Sequence, residues 1–418
     1  MMKKDPSFDN LVDYIAFGEH VEPAQSWAKT SLTVDLGVFV DEPGMLACAR
    51  RSLEVWTRSA GFEFTEVSGG ADIVFTADPG GAYTGTDYTG DGEILGATIN
   101  VALDWRDGDP RGERWGLGDY GMQTFVHEIG HALGLGHPGR YFGNVTYEDN
   151  ARFTKDTWQH TIMSYFDQSN LDGHERYIVS SPRLADLAAI RALYGEIELR
   201  PEDSVYSLST MEIRRGAGTF TIADTRGSDL IDLRGTGGAK VDLREGGFST
   251  FGLHDDNVAI AFGSVIEDVR GSGGADAVRG NDAANVIFGA RGDDTIEGSG
   301  GDDTLRGGLG SDELAGGRGR DVFTYRRVEQ IDGDLVRDFQ SGLDVIGLAR
   351  VDADETQVSD QSFALIGADR FGGTAGELRY QFRNDATIVT GDVDGDGRAD
   401  FRLTLLSEIE LSAKDFIL

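Results

Sequence analysis

The residues best suited to chemistry are concentrated in one stretch, His127-Glu128-Ile129-Gly130-His131-Ala132-Leu133-Gly134-Leu135-Gly136-His137. A helix turns about 100° per residue, so His127 and His131 lie on one face and can offer their imidazoles to a single cation. Glu128 stands about a quarter-turn round, beside the metal rather than on it. Gly134 can take the left-handed conformation that ends a helix, which lets His137 approach from another direction. Three nitrogen donors leave one position open. Three protein ligands plus water is the arrangement of a catalytic zinc site, whereas structural zinc sites are usually closed by four ligands, often cysteines. This chain has one cysteine. Zinc lowers the pKa of its bound water to roughly 7, and a neighbouring carboxylate can take that proton as the water attacks a polarised carbonyl. Glu128 is the candidate general base, later donating to the leaving amine. A bare H-x-x-x-H is most often an ordinary pair of helical histidines. The full H-E-x-x-H-x-x-G-x-x-H is far more specific.

Downstream lies Thr161-Ile162-Met163-Ser164-Tyr165-Phe166. With this segment present, the sequence resembles the metzincins, zinc endopeptidases that combine the extended histidine motif with a methionine turn beneath the metal. Within that clan it is similar to the serralysins, because Pro138 follows His137 directly and Tyr165 stands two residues after Met163. The resemblance implies that Met163 forms a hydrophobic floor under the zinc. It implies that Tyr165 is a mobile fifth ligand that swings off to hydrogen-bond the oxyanion, a role open to a phenol. His160 and His174 flank the turn but are not needed for the three-ligand set.

The elements that would position these residues follow from periodicity. Residues 1–30 read as a polar lead-in, which the resemblance makes a short propeptide, and no apolar run of signal-peptide length follows Met1. Ser31–Val40 alternates as a strand, and Pro43–Ala60 has helical apolar spacing that includes Cys48, a small buried hydrophobe rather than a nucleophile. Strands are expected over Phe62–Val67, Ala71–Ala77 and Ala97–Leu103. Ala82–Tyr88 is the candidate edge strand that, in the family, pairs with extended substrate. The histidine helix should run from Tyr120 or Gly121 to Leu133, and a further helix should open at Ser181-Pro182-Arg183-Leu184-Ala185-Asp186 and end at Tyr194-Gly195. The catalytic domain is then 31–200.

Beyond residue 200 an internal repeat appears. From Gly271 the chain reads in nines as GSGGADAVR, GNDAANVIF, GARGDDTIE, GSGGDDTLR, GGLGSDELA and GGRGRDVFT. The sixth place is Asp276, Asn285, Asp294, Asp303, Asp312 and Asp321, and the eighth is always apolar. Glycines permit tight turns that expose carbonyls, aspartate adds a hard anionic oxygen, and the eighth side chain points inward from a short strand. One such turn buries almost nothing, whereas stacked turns build a continuous apolar strip, a parallel β-roll. This resembles the calcium-binding nonapeptide of RTX proteins. Asp276, Asp294, Asp303, Asp312 and Asp321 are the candidate calcium ligands; Asn285 departs from the pattern. The roll is expected over 201–325. Residues 326–418 are expected to form a C-terminal β-sandwich cap, with the acidic loop Asp392–Asp400 a hairpin turn before it is a calcium site.

Composition limits the remaining choices. Net charge is −34, with 72 acidic against 38 basic residues, which disfavours nucleic acid and anionic membrane surfaces as partners and favours divalent cations. No run approaches the roughly 20 apolar residues needed to span a bilayer. The ending Asp415-Phe416-Ile417-Leu418 is similar to serralysin C-termini, which serve as uncleaved type I export signals in Gram-negative bacteria. The expected whole is an α+β metzincin-like catalytic domain followed by an all-β parallel β-roll with its cap, holding one catalytic Zn2+ and several structural Ca2+. It would be a secreted, extracellular, monomeric endopeptidase. Its expected partners are protein or peptide substrates, the type I secretion machinery and a proteinaceous inhibitor. Two rival readings are a non-catalytic calcium-dependent RTX adhesin or binding module with a vestigial metal site, and a metalloenzyme acting on a non-peptide substrate.

Overall fold

The computed structural model describes residues 6–18, 23–105, 119–171, 173–200, 202–211, 219–252, 254–358 and 361–418. The chain divides into two compact units. The first comprises Met1–Glu202, Ser209–Gly227 and Leu253–Ser264; the second comprises Asp203–Leu208, Ser228–Gly252 and Val265–Leu418.

The first unit is α+β. Its main sheet has the spatial order β2-β1-β3-β5-β4, where β1 is Ser31–Asp35, β2 Glu63–Glu66, β3 Ile73–Thr76, β4 Ala82–Tyr88 and β5 Ile94–Val101. β2, β1, β3 and β5 run parallel, and β4 lies antiparallel to β5 at the edge. Alternation along the strands buries Leu32, Val34, Ile73, Phe75 and Ile99. β1 is shorter than the alternation over Ser31–Val40 suggests. The Asp35 carboxylate accepts the amides of Gly37 (2.9 Å) and Gly69 (2.7 Å), and the chain turns into a 3-10 segment, Gly37–Phe39. Phe39 is thereby buried and Val40 is left exposed.

The helices are α1 (Phe8–Phe17), α2 (Pro43–Ala60), α3 (Tyr120–Ala132), α4 (Tyr147–Asn150) and α5 (Leu184–Tyr194). α1 corrects the reading of residues 1–30 as a polar lead-in. Its N-cap Ser7 accepts the Asn10 amide, and Leu11 and Ile15 form a buried stripe packed on α5. A ten-residue helix is marginal alone, so only tertiary packing fixes it. α2 packs on α3 through the fully buried Trp56, whose indole donates to Val126 O at 3.0 Å. Cys48 is buried on α2, and burial pushes its thiol up to about 12.

The second unit is a parallel β-roll. One sheet stacks Leu230–Asp232, Asp268–Arg270, Val286–Arg291, Thr304–Leu309, Val322–Thr324, Val345–Gly347 and Phe416–Ile417. The other stacks Ala239–Asp242, Ala277–Arg279, Thr295–Gly300, Glu313–Arg318, Leu335–Val336 and Phe401–Leu405. Successive nonapeptides alternate between sheets, so one coil takes two of them. Their eighth-place residues, from Val278 to Phe323, are buried between the sheets. The structure departs from a separate β-sandwich over 326–418. Strands after residue 325 join the same two sheets, because Val336, Ile346 and Leu405 continue the buried strip; Glu377–Arg383 and Ala386–Asp392 add an antiparallel extension. No described helix is long and apolar enough to cross a membrane.

Candidate metal centre

α3 carries His127, Glu128 and His131 near its C-terminal end. The helix stops because Gly134 turns left-handed (φ +97°), with the Leu135 amide returning to Gly130 O at 3.0 Å. A side chain at Gly134 would also strike Gln25 O, since an added Cβ would lie 2.1 Å from it. The exposed carbonyls at this end are taken up by Trp27, whose indole donates to Ala132 O (2.8 Å), and by the Tyr194 hydroxyl, which donates to Leu133 O (2.8 Å). This fixed turn aims His137 back at the helix.

The three Nε2 atoms of His127, His131 and His137 lie 3.1–3.2 Å from one another. Nδ1 of His127 faces Ile162 O at 2.8 Å and Nδ1 of His131 faces Leu135 O at 2.7 Å. Those carbonyls can only accept, so the protons of both rings sit on Nδ1 and the Nε2 lone pairs point inward. Converging lone pairs repel unless a cation joins them. Tetrahedral N–metal bonds of about 2.0–2.1 Å give an N···N edge of roughly 3.3–3.4 Å, close to the observed spacing, so the residues fit an N3 metal site. Burial and the neighbouring rings lower the pKa of His127 to about 3, burial lowers that of His131 to about 4, and His137 is also lowered. All three rings are neutral at ordinary pH, the form in which imidazole can bind a metal.

Glu128 is buried between α3 and the edge strand. Burial raises its pKa to about 7, opposed by a 2.7 Å hydrogen bond from the Thr84 hydroxyl to Oε2. A carboxylate titrating near neutrality is suited to general base work. A 490 Å³ cavity opens on its His131 and His137 side, lined by Ile15, Phe17, Gln25 and Leu135, and a 300 Å³ cavity opens on its His127 side, lined by Trp105, Tyr120, Val145 and Trp158. Tyr165 borders both and is 51% exposed. Its ring lies 4.8 Å from that of His137 and 4.6 Å from that of Tyr141. Met163 is fully buried beneath α3; a Cβ at Gly130 would come within 2.8 Å of its sulfur.

Sequence reasoning did not find Thr84 or Tyr141. The Tyr141 hydroxyl donates to Asp156 at 2.5 Å, holding its ring against Tyr165. The signal for Tyr141 was its aromatic type four residues past His137; Thr84 gave none beyond its strand. His160 and His174 do not join the imidazole cluster. Among the described residues, one other group converges, Asp392, Asp394 and Asp400. That loop is the connection of an antiparallel pair, and both Asp392 oxygens already accept amides, from Gly395 and Gly397.

The sixth-place aspartates form rows rather than a cluster. One carboxylate oxygen of each accepts a backbone amide from the coil before it: Asp276 N–H to Asp294, Asp294 N–H to Asp312, Asp303 N–H to Asp321. The other oxygens of Asp294, Asp303, Asp312 and Asp321 are buried with no hydrogen-bond partner, and Asp334 adds a fifth to the row. Burial raises the pKa of Asp294 and Asp303 to about 7, of Asp321 to about 6 and of Asp334 to about 8; it also raises Asp312. An orphaned buried oxygen in each nonapeptide from Gly289 to Thr324 fits a hard cation. Asp276 differs, because Ser272 and Ala239 occupy its oxygens, and Asn285 is satisfied by Asn281 and Glu267 O.

Residues 206–418 match the family model described as Peptidase M10 serralysin C terminal. The chain is 34% identical to Metalloprotease AprA of Pseudomonas entomophila (strain L48) over 86% of its own length and 77% of that protein. This chain belongs to the serralysin family. Serralysin of Proteus mirabilis is also 34% identical, with 88% of this chain and 81% of that one aligned, and Serralysin A of Dickeya chrysanthemi is 34% identical, with 93% and 83% aligned. These relatives carry the names metalloprotease and serralysin, and the three-histidine centre of this serralysin stands in line with metal dependence.

Proposed function

We propose that the protein is a secreted zinc-dependent endopeptidase whose β-roll is held together by calcium. The observation that carries this reading is the convergence of three unprotonated imidazole nitrogens beside a carboxyl group whose pKa is near 7. Zinc held by His127, His131 and His137 supplies a Lewis acid and a readily deprotonated water. Glu128 accepts the proton of the attacking water and passes it to the leaving amine. Thr84 fixes the bearing of that carboxylate. β4 offers its free edge to an extended peptide, bringing the scissile bond past Glu128. Tyr165, exposed at the mouth of both cavities, donates from its phenol to the substrate carbonyl oxygen, and Tyr141 supports its ring.

Calcium held by Asp294, Asp303, Asp312 and Asp321, with Asp334 beyond them, satisfies the orphaned oxygens; Asp276, expected as a further ligand from the repeat, has both oxygens engaged by backbone amides and is left out of this set. Export by a type I route and an extracellular location rest on the resemblance of the C-terminal segment. Calcium is scarce in the cytosol and abundant outside, so the roll would gain its stability after export. The test is digestion of casein by the calcium-loaded protein with and without a zinc chelator. Loss of cleavage on chelation and its return with zinc support the reading; cleavage indifferent to zinc overturns it.

A further inference from the structure

We propose that Asp186 is a positioning residue for the metal centre, acting on His127 through the Thr161 hydroxyl and the peptide that joins Ile162 to Met163. The inference rests on the zinc reading above. Asp186 lies on the first turn of α5, far along the chain from the histidines, and is fully buried together with Thr161, Ile162 and Met163. Its Oδ2 accepts the Ile162 amide at 2.8 Å, and its Oδ1 accepts the Thr161 hydroxyl at 2.5 Å. The same hydroxyl accepts the Met163 amide at 3.0 Å. The Ile162 carbonyl, in the same amide as that Met163 N–H, accepts the Nδ1 proton of His127 at 2.8 Å. One peptide unit is thus held through its N–H by the hydroxyl that Asp186 anchors, and through its C=O by a metal-binding ring.

A helix cap alone does not explain this arrangement. Capping α5 uses one bond, from the Arg183 amide to Oδ2 at 2.7 Å. The other two bonds reach back 24 and 25 residues to the methionine turn. Arg183 is itself fully buried and places its charge near the carboxylate, with Nε donating to Gln159 O at 3.2 Å. The buried anion polarises the Thr161 hydroxyl, which accepts the Met163 N–H and so polarises the Ile162 carbonyl of the same amide, strengthening its hold on the His127 proton. Keeping that proton on Nδ1 keeps the Nε2 lone pair on the metal side. Asp186 therefore fixes tautomer and ring bearing at one ligand, while the turn it braces carries Met163 under α3.

The test uses the full-length, calcium-loaded protein. Zinc affinity is measured by competition with a chromophoric chelator, and ligand geometry by the visible absorption of the cobalt(II)-substituted protein. Loss of an outer-sphere partner typically weakens metal binding about 10- to 100-fold, which is the expectation for Asp186→Ala, with an altered cobalt spectrum. Asp186→Asn keeps the shape and an acceptor oxygen for Ile162 but not the charge, so it should weaken binding about fivefold, because charge-assisted hydrogen bonds are roughly twice as strong as neutral ones. Should Asp186→Ala fail to fold, Asp186→Asn decides. A folded variant whose zinc affinity and cobalt spectrum equal the parent's overturns the inference, even if its melting temperature has fallen. A parent that takes up no zinc overturns instead the functional reading on which the inference rests.

Discussion

Thr84 and Glu128 are joined by a 2.7 Å hydrogen bond from the threonine hydroxyl to Oε2, which ties the edge strand of the sheet to the histidine helix. The residue that orients the proposed base thus belongs to the strand proposed to bind substrate. Thr84→Val keeps the shape and removes the donor. A hydrogen bond to a charged group contributes about 1.5 kcal/mol or more, so kcat should fall about tenfold or somewhat further. Zinc content should be unchanged. Peptide hydrolysis kinetics with metal analysis on the same sample check this, and an unaltered kcat would remove Thr84 from the base's support.

Glu128→Gln preserves volume and leaves the three imidazoles untouched. Removing a general base costs on the order of 10²- to 10⁴-fold in rate. The variant should bind one zinc per chain as tightly as the parent within a few-fold and lose nearly all turnover. Retained turnover would take Glu128 out of the base role.

Gly130→Ala offers a test of packing over the methionine turn. On an exposed helix face the change would stabilise by about 1 kcal/mol. Here the new Cβ would lie 2.8 Å from the Met163 sulfur and 3.3 Å from the Trp56 ring, so overpacking should win and destabilise the first unit by about 1–3 kcal/mol. Denaturant unfolding of parent and variant measures it. A gain in stability would show that Met163 is not held against the helix.

The roll should respond to pH in opposite senses with and without calcium. Without the ion, burial holds the carboxyls of Asp294, Asp303, Asp321 and Asp334 at about 7, 7, 6 and 8, well above the unfolded value of 3.8. The folded roll therefore binds these protons more tightly than the unfolded chain, and the stability they confer is complete below about pH 4 and lost as pH rises through 6 to 8. Calcium needs the deprotonated form, so its contribution grows over the same range. Circular dichroism melts in chelator should show the roll's transition falling from pH 5 to 8, and in millimolar calcium rising. Parallel slopes would argue against these aspartates as ligands.

How far the sequence could be read depended on distance along the chain. The bearing of His127, Glu128 and His131 follows from helical period alone, and the eighth-place strip from Val278 to Phe323 from a fixed repeat. Asp334 and Asp344 accept the backbone amides of Asp312 and Asp321 as the repeat aspartates accept those of the coil before, but insertions hide them from a nine-residue frame. The helix Phe8–Phe17 was missed because a short apolar stripe has meaning only against its partner. Thr84, Tyr141 and Asp186 act across 44, 15 and 24 residues respectively, at distances where residue type carries no signal.

The central claim is that one zinc on three imidazoles, with Glu128 beside it, hydrolyses peptide bonds. Stepwise addition of zinc to the metal-stripped protein in saturating calcium, with casein hydrolysis followed at each step, tests it most directly. Activity should rise linearly and level off at one zinc per chain. Full hydrolysis before any zinc is added, or one tightly bound zinc with no hydrolysis, would contradict it.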